Sequence, residues 1–247
     1  MDNKNLEVIE KLNHKYKDYY LYETHLHTSQ GSACGKNTGR EMALAAKEYG
    51  YTGIFVTDHF FYGNTAVDRS LPWHEWVDKF CEGYFDAKRC GDEIGLQVFF
   101  GWESCYNAME FLIYGLSPEW LKSHPDIRDC SVREQYEMIH KDGGLIIQAH
   151  PFREDYYIEK QIQYPNDVDG VEVLNISNGI RMKCGLNACL WDDMALQYAK
   201  AHNLHITAGS DVHTVNMLGC GMGFEEKLET ADSFINAVLN DSGILLY

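Results

Sequence analysis

Five short stretches of this chain carry side chains able to hold divalent metal ions: His25-Leu26-His27-Thr28, Thr57-Asp58-His59, Gly101-Trp102-Glu103, Ala149-His150-Pro151 and Gly209-Ser210-Asp211-Val212-His213. Residues two apart on a strand point to the same face. His25 and His27, which close the run Tyr19-Tyr20-Leu21-Tyr22, can therefore aim two imidazoles at one point. Alone, such a pair is also what half-buried strand packing produces. Its weight comes from the other four stretches, each of which follows an apolar run. Five of the eleven histidines fall at such ends, together with Asp58, Glu103 and Asp211. Scattered surface histidines would not select one rim. The pattern predicts a shared polynuclear metal site, the alternative being a polar cluster whose members satisfy one another.

The elements that must position these residues alternate. The runs 53–57, 96–100, 110–115, 145–149, 171–174 and 204–208 read as short strands, several of them continuous apolar runs of the kind buried on both faces. Helical spacing links Leu6, Ile9 and Leu12 in an amphipathic opening, then Met42, Ala45, Ala46 and Tyr49 between a Thr38 cap and Gly50. It recurs in Trp73, Trp76, Val77, Phe80 and Tyr84, in Val132, Tyr136 and Ile139, and in Trp191, Met194, Ala195 and Tyr198. A last helix over 234–239 leads to a terminal strand, 243–247. A buried strand followed by a helix, about seven times and without a linker, predicts right-handed crossovers and a parallel sheet. Closed on itself, that α/β sheet is a (β/α) barrel with its chemistry at the strand carboxyl ends. An open doubly wound sheet would place ligands there too. Residues 1–247 read as one domain.

Composition narrows the function. Hydrophobic residues at 45%, with 13% aromatic, supply a sizeable core. A formal net charge of −16, from 37 acidic against 21 basic residues, repels polyanions and argues against a nucleic-acid surface. Met1-Asp2-Asn3-Lys4-Asn5 lacks the apolar segment of a signal peptide, and no run approaches the ~20 apolar residues of a bilayer span. The expectation is a cytoplasmic protein with no membrane contact. Eight cysteines without a Cys-x-x-Cys pair fit neither a zinc ribbon nor a disulfide scaffold, and most read as reduced, buried thiols. No Walker loop, dinucleotide fingerprint or Gly-x-Ser-x-Gly elbow is present.

The five motifs, in this order, resemble those of the polymerase and histidinol phosphatase (PHP) family of metallohydrolases. The resemblance implies a distorted TIM-like (β/α)7 barrel holding two or three divalent metal ions (zinc, manganese or iron) and hydrolysing phosphoesters. It implies that His25, His27, Glu103 and Asp211 bind a first metal, that Glu103 bridges to a second held by His150, and that His59 and His213 hold a third. Imidazoles and carboxylates suit such ions, and a carboxylate can bridge two of them ~3.5–4 Å apart. Glu103, Asp211 and His213 are the expected catalytic residues, working through metal-activated water. Asp58 is expected to ligate or to orient a neighbouring imidazole.

Two departures stand out. Glu110 precedes a Leu/Ile-x-Tyr-Gly strand where many members carry a histidine, and reads either as a carboxylate ligand or as a solvated acid at a strand start. In the loop after the His pair, where trinuclear members supply a histidine or aspartate, stands Cys34, either a thiolate ligand or a loop-packing residue. Arg153 is the best-placed cation for a phosphate, followed by Lys36, Arg69 and Arg181. Glu172 and Asn175 are candidates to line the pocket. His14, His74, His124, His140, His202 and His205 read as surface or packed residues, and the Trp73–Trp76 pair as helix core. The expected activity is hydrolysis of a small phosphorylated substrate, a phosphomonoester first. The rivals are a nuclease or nucleotide phosphodiesterase, and a metal-binding regulatory domain without catalysis.

Overall fold

Apolar runs bounded by polar or glycine-bearing turns become strands throughout this chain. The computed structural model describes residues 3–182 and 188–247. Its strands are β1 (Tyr20–Leu26), β2 (Gly53–Val56), β3 (Gln97–Tyr106), β4 (Met109–Tyr114), β5 (Leu145–Gln148), β6 (Gly170–Asn175), β7 (His205–Gly209), β8 (Gly221–Phe224) and β9 (Ile244–Leu246). The helices are α1 (Asn3–Lys15), α2 (Gly39–Tyr49), α3 (Trp73–Phe80), α4 (Glu82–Ile94), α5 (Pro118–Ser123), α6 (Val132–Lys141), α7 (Ile176–Met182), α8 (Ala188–His202) and α9 (Ala231–Leu239). The strands pair in the order β7-β6-β5-β4-β3-β2-β1-β8-β9. A parallel bridge between Leu26 and Val212 sets the end of β1 against the exit of β7. Val212 N donates to the His25 carbonyl, and His27 N to that of Val212. The first seven strands thus make a nearly closed, TIM-like barrel.

Two apolar layers hold it. Outside, Leu26, Ile54, Val56 and Val98 pack on Met42, Ala46 and Tyr49 of α2 and Ala87 of α4. Inside, Phe55 stacks on Phe99 at 4.8 Å between ring centroids and meets Tyr114 and Phe234 at 5.2 and 4.5 Å. Such rings bury large areas. They plug the barrel interior on the side of the histidines away from the rim. The β1–β2 register shifts between Glu23 and Leu26. A shift of this kind re-aims side chains, and it lets Tyr22 join the aromatic plug while His25 and His27 also face inward.

Four departures from the predicted elements shape the site. The sheet is not wholly parallel, because β4 runs antiparallel to both β3 and β5. The two-residue turn Asn107-Ala108, both at positive φ, makes that reversal. β3 also runs past its predicted end to Tyr106; it leaves β2 at Phe100 and continues paired with β4. Glu103 is therefore mid-strand yet at the rim, and the hairpin brings Glu110 back to the same level. The helix predicted from Trp73 to Tyr84 is two helices meeting at Cys81. A Cβ at Gly83 would collide with the Thr28 hydroxyl, so glycine there lets α4 press against the loop after β1. Met194 faces solvent, 45% exposed, rather than the helix core. Trp76, by contrast, is fully buried and stacks on Trp73.

Strand β8, which has no strong apolar run, pairs antiparallel with β1 through Tyr22 and Met222. Gly221 has φ of 139°, and a Cβ there would collide with the Tyr22 carbonyl. Gly221→Ala is expected to cost about 1–3 kcal/mol in denaturant unfolding, the usual range for overpacking. An unchanged midpoint would contradict this pairing.

Candidate metal centre

The carboxylate of Glu103 is fully buried at the rim and faces four imidazoles. Its Oε1 lies 3.2 Å from His25 Nε2 and 3.3 Å from His150 Nε2. Its Oε2 lies 2.7 Å from His59 Nδ1 and 3.5 Å from His27 Nε2. Asp211 Oδ1 approaches His27 Nε2 at 3.2 Å and His25 Nε2 at 3.7 Å. Glu110 stands 3.5 Å from both His59 and His150. Four overlapping groups have ligand atoms within 4.8 Å of one another: His25, His27 and Glu103; His25, His150 and Asp211; His59, Glu103 and Glu110; His27, His59 and His213. The solvated-acid reading of Glu110 is thereby set aside.

A second layer of polar groups selects the ring nitrogen that three of the imidazoles present. Glu172 Oε1 lies 2.9 Å from His25 Nδ1, so neutral His25 keeps its proton there and turns a bare Nε2 to the cluster. Ser32 donates its hydroxyl proton to Asp58 Oδ1 and accepts from His59 N, which leaves it an acceptor for His27 Nδ1–H. His213 Nδ1 donates to the Asp211 carbonyl. Glu172 also accepts from His150 N and from Asn175, tying β6 to the loop after β5. His150 and Asp211 both sit at positive φ, 26° and 55°. Strain of this kind costs on the order of 1–3 kcal/mol and persists where surrounding contacts over-determine it.

Other predicted residues are placed differently. Asp58 does not reach the cluster: Oδ1 accepts from Thr28 N and Ser32, and Oδ2 from the Thr28 hydroxyl, so it orients rather than faces a metal. Arg153 lines the pocket, but its Nη2 lies 2.7 Å from Asp211 Oδ2 and bonds Asn175, while Nε bonds Asn178. It serves Asp211 before any substrate. Lys36 is exposed and does not line the pocket; only its backbone N reaches over, to the His213 carbonyl. Arg69 is spent on the carbonyls of Phe61 and Gly63. The Arg181 side chain lies outside the described residues. Sequence reasoning gave Glu172 only a lining role and passed over Ser32. Glu172 had a signal, its place near a strand end; Ser32 had none.

The donor set fits divalent ions. Glu103 Oε2 and His59 Nδ1 are buried, 2.7 Å apart, and without aligned hydrogen-bond partners, as two ligand atoms turned toward a shared cation would be. Burial would raise Asp211, but Arg153 and then His25 hold it well below the usual carboxylate range. Glu103 is likewise pulled down by His59 and His25 against the effect of burial. Burial and the adjacent Glu103 push Glu110 up. Buried charge is ordinarily paired or coordinated, and among the described residues lining this cavity of about 550 Å³ Arg153 is the one permanent cation.

Fold and rim together define an α/β barrel carrying a cluster of histidines and carboxylates that could hold several metals. Residues 190–242 match the PHP-associated family. The fold is that of a two-domain protein from Bacteroides vulgatus containing a predicted PHP-like metal-dependent phosphoesterase: TM-score 0.65, 14% identity, 93% of this chain and 66% of that one. It is also that of PsfC from Pseudomonas syringae, with TM-score 0.61, 17% identity and coverage of 93% and 91%. Endonuclease Q, solved with a 27-mer duplex substrate bearing an abasic lesion, aligns with TM-score 0.55 and 15% identity over 92% of this chain and 58% of its own. No curated protein matches. The likeness to the PHP family read from the motifs is borne out.

Two outcomes test the centre. Glu172→Ala removes the acceptor of His25 Nδ1 and is expected to weaken metal binding about 10–100-fold in chelator competition; unchanged affinity would refute the orienting role. His25 and His59 are held well above the ordinary imidazole value of 6.5, against burial, by Glu172 and Glu103 for His25 and by Glu103 for His59. Asp211 raises His213 in the same sense, against burial. Incoming metal must displace these protons, so affinity is expected to rise with pH through and beyond the ordinary range, with proton release in calorimetry. A flat profile would contradict the ligand set.

Proposed function

We propose that this chain is a metal-dependent phosphoesterase acting on a small phosphorylated substrate, a phosphomonoester first, and that residues 1–247 form one such domain. The observation that carries this is the overlap of four ligand groups, two of them sharing the buried Glu103, with His59, Glu110, His150, Asp211 and His213 lining one pocket. His25, His27, Glu103 and Asp211 would hold one ion, His150 and Glu110 with Glu103 a second, and His59 and His213 a third. Zinc, manganese and ferrous iron all suit these donors. When bound, such ions supply Lewis-acid stabilisation of the phosphoryl group and lower the pKa of a water nucleophile. The chain's own part is positional. Glu172, Ser32 and the Asp211 carbonyl fix the tautomers of His25, His27 and His213. Arg153 holds Asp211 ionised and in place.

One comparison favours a second reading, a nuclease, because the fold is shared with Endonuclease Q. The charge of −16 and the absence of a free cation among the described pocket residues weigh against it. Metal-loaded protein is expected to hydrolyse a sugar phosphate or mononucleotide faster than a single-stranded oligonucleotide in low salt. The reverse order would establish the nuclease, and bound metal with no turnover on either would leave a non-catalytic metal-binding domain. Glu103→Gln, which keeps shape and volume, is expected to reduce turnover to background. Asp211→Ala is the poorer probe, because it strands Arg153 as a buried unpaired charge at a cost of about 3–5 kcal/mol.

A further inference from the structure

We infer that Cys34 supplies a thiolate to a metal ion held by His59 and His213, making this corner of the pocket a nitrogen–sulfur site, unlike the oxygen-rich position around Glu103 and Glu110. The inference rests on the metal-centre reading above and deepens it.

Three imidazoles converge here. The rings of His27 and His59 stack at 4.3 Å and those of His27 and His213 at 4.8 Å, and their ligand nitrogens lie within 4.8 Å of one another. His213 commits Nδ1 to a hydrogen bond with the Asp211 carbonyl, which frees its Nε2, whereas the bare Nε2 of His27 is turned toward Asp211. His59 Nδ1 is buried 2.7 Å from Glu103 Oε2, which leaves Nε2 as its other ligand atom. The Cys34 thiol lines the same pocket and meets the imidazoles of both His213 and His59. Its backbone is held on both sides by the segments that carry those rings or lie close to them. Ala33 N donates to the Asn64 carbonyl at 2.9 Å, and Lys36 N to that of His213 at 2.8 Å. Gly35 N closes the turn onto Ser32. A cysteine that merely packed the loop would not need to face two imidazoles.

On binding, the Cys34 S–H bond gives its proton to solvent and a sulfur–metal bond forms, with no change of oxidation state. Two nitrogens and one sulfur leave one open position in a tetrahedral donor set, and a thiolate selects zinc or ferrous iron over manganese or magnesium.

The test uses cobalt(II) as a spectroscopic probe. Full-length protein stripped with a chelator and reloaded with Co²⁺ is expected to show a thiolate-to-cobalt charge-transfer band in the near ultraviolet. Cys34→Ser should lose the band and bind one fewer ion, Cys105→Ser should keep both, and Cys34→Asp should restore the ion without the band. A loaded wild type with no band, or a band that survives in Cys34→Ser, overturns the assignment. Failure to bind any Co²⁺ overturns the metal centre and Cys34 with it. None of these readouts depends on turnover, so they stand apart from the phosphoesterase reading.

Discussion

A carboxylate with no exposure to water, surrounded by four imidazoles, is the arrangement on which the rest of this structure turns. Burying Glu103 as an anion is costly unless its oxygens are compensated. His25, His27, His59 and His150 come from three other strand ends to do so. They reach it because β1 and β7 meet through the Leu26–Val212 bridge and because β3 overruns β2 to lift Glu103 to the rim. Glu23 reinforces that closure, with Oε1 accepting from both His25 N on β1 and Ser210 N after β7. Barrel closure and assembly of the cluster are therefore one event.

Around the hub, a polar second layer does the orienting. Glu172, Asp58 acting through Ser32, and the Asp211 carbonyl leave three imidazoles with a defined bare nitrogen. These groups lie on β6 and on the loops after β1, β2 and β7, so the precision of the site depends on groups that hold the imidazoles rather than face a metal. The positive φ of His150 and Asp211 belongs to the same economy. Both residues end strands and must turn a side chain inward where the chain is leaving the barrel, and the hydrogen bond from His150 N to Glu172 and the ion pair of Asp211 with Arg153 hold them there.

The strand-end rule found the cluster because a strand's direction places its last residue at the rim, and continuous apolar runs reveal direction and end together. It set Glu103 at a strand end and left Glu110 open between ligand and solvated acid for a common reason. A run of apolar residues does not say which way its strand runs, and the Asn107-Ala108 turn that reverses β4 carries no glycine to announce it. Asp58 was drawn into the ligand set by its position beside His59, although its oxygens are used by Thr28 and Ser32 in a loop with no periodicity. Strand β8, Gly221-Met222-Gly223-Phe224, escaped because two of its four residues are glycines, Gly221 for close approach to β1 and Gly223 against Ile244 and Leu246 of β9, which leaves no apolar run to read.

Charge finally constrains what can enter. The pocket presents Glu110 and Asp211 toward its mouth, and its one guanidinium is already engaged with Asp211. Lys36, the other cation within a few residues of the motifs, points elsewhere. Without bound cations such a cavity repels a phosphate group, and no side chain among those described is free to reverse the sign. On the proposed reading, recognition of the phosphoryl group and its activation would then depend on the same ions, so substrate affinity and turnover should be lost together when the ions are removed. The protein side chains would be left to discriminate the remainder of the molecule, for which the pocket offers Tyr62, Asn64, Tyr156 and Tyr157. These are uncharged groups, better matched to a compact neutral body carrying one phosphate than to a chain of them.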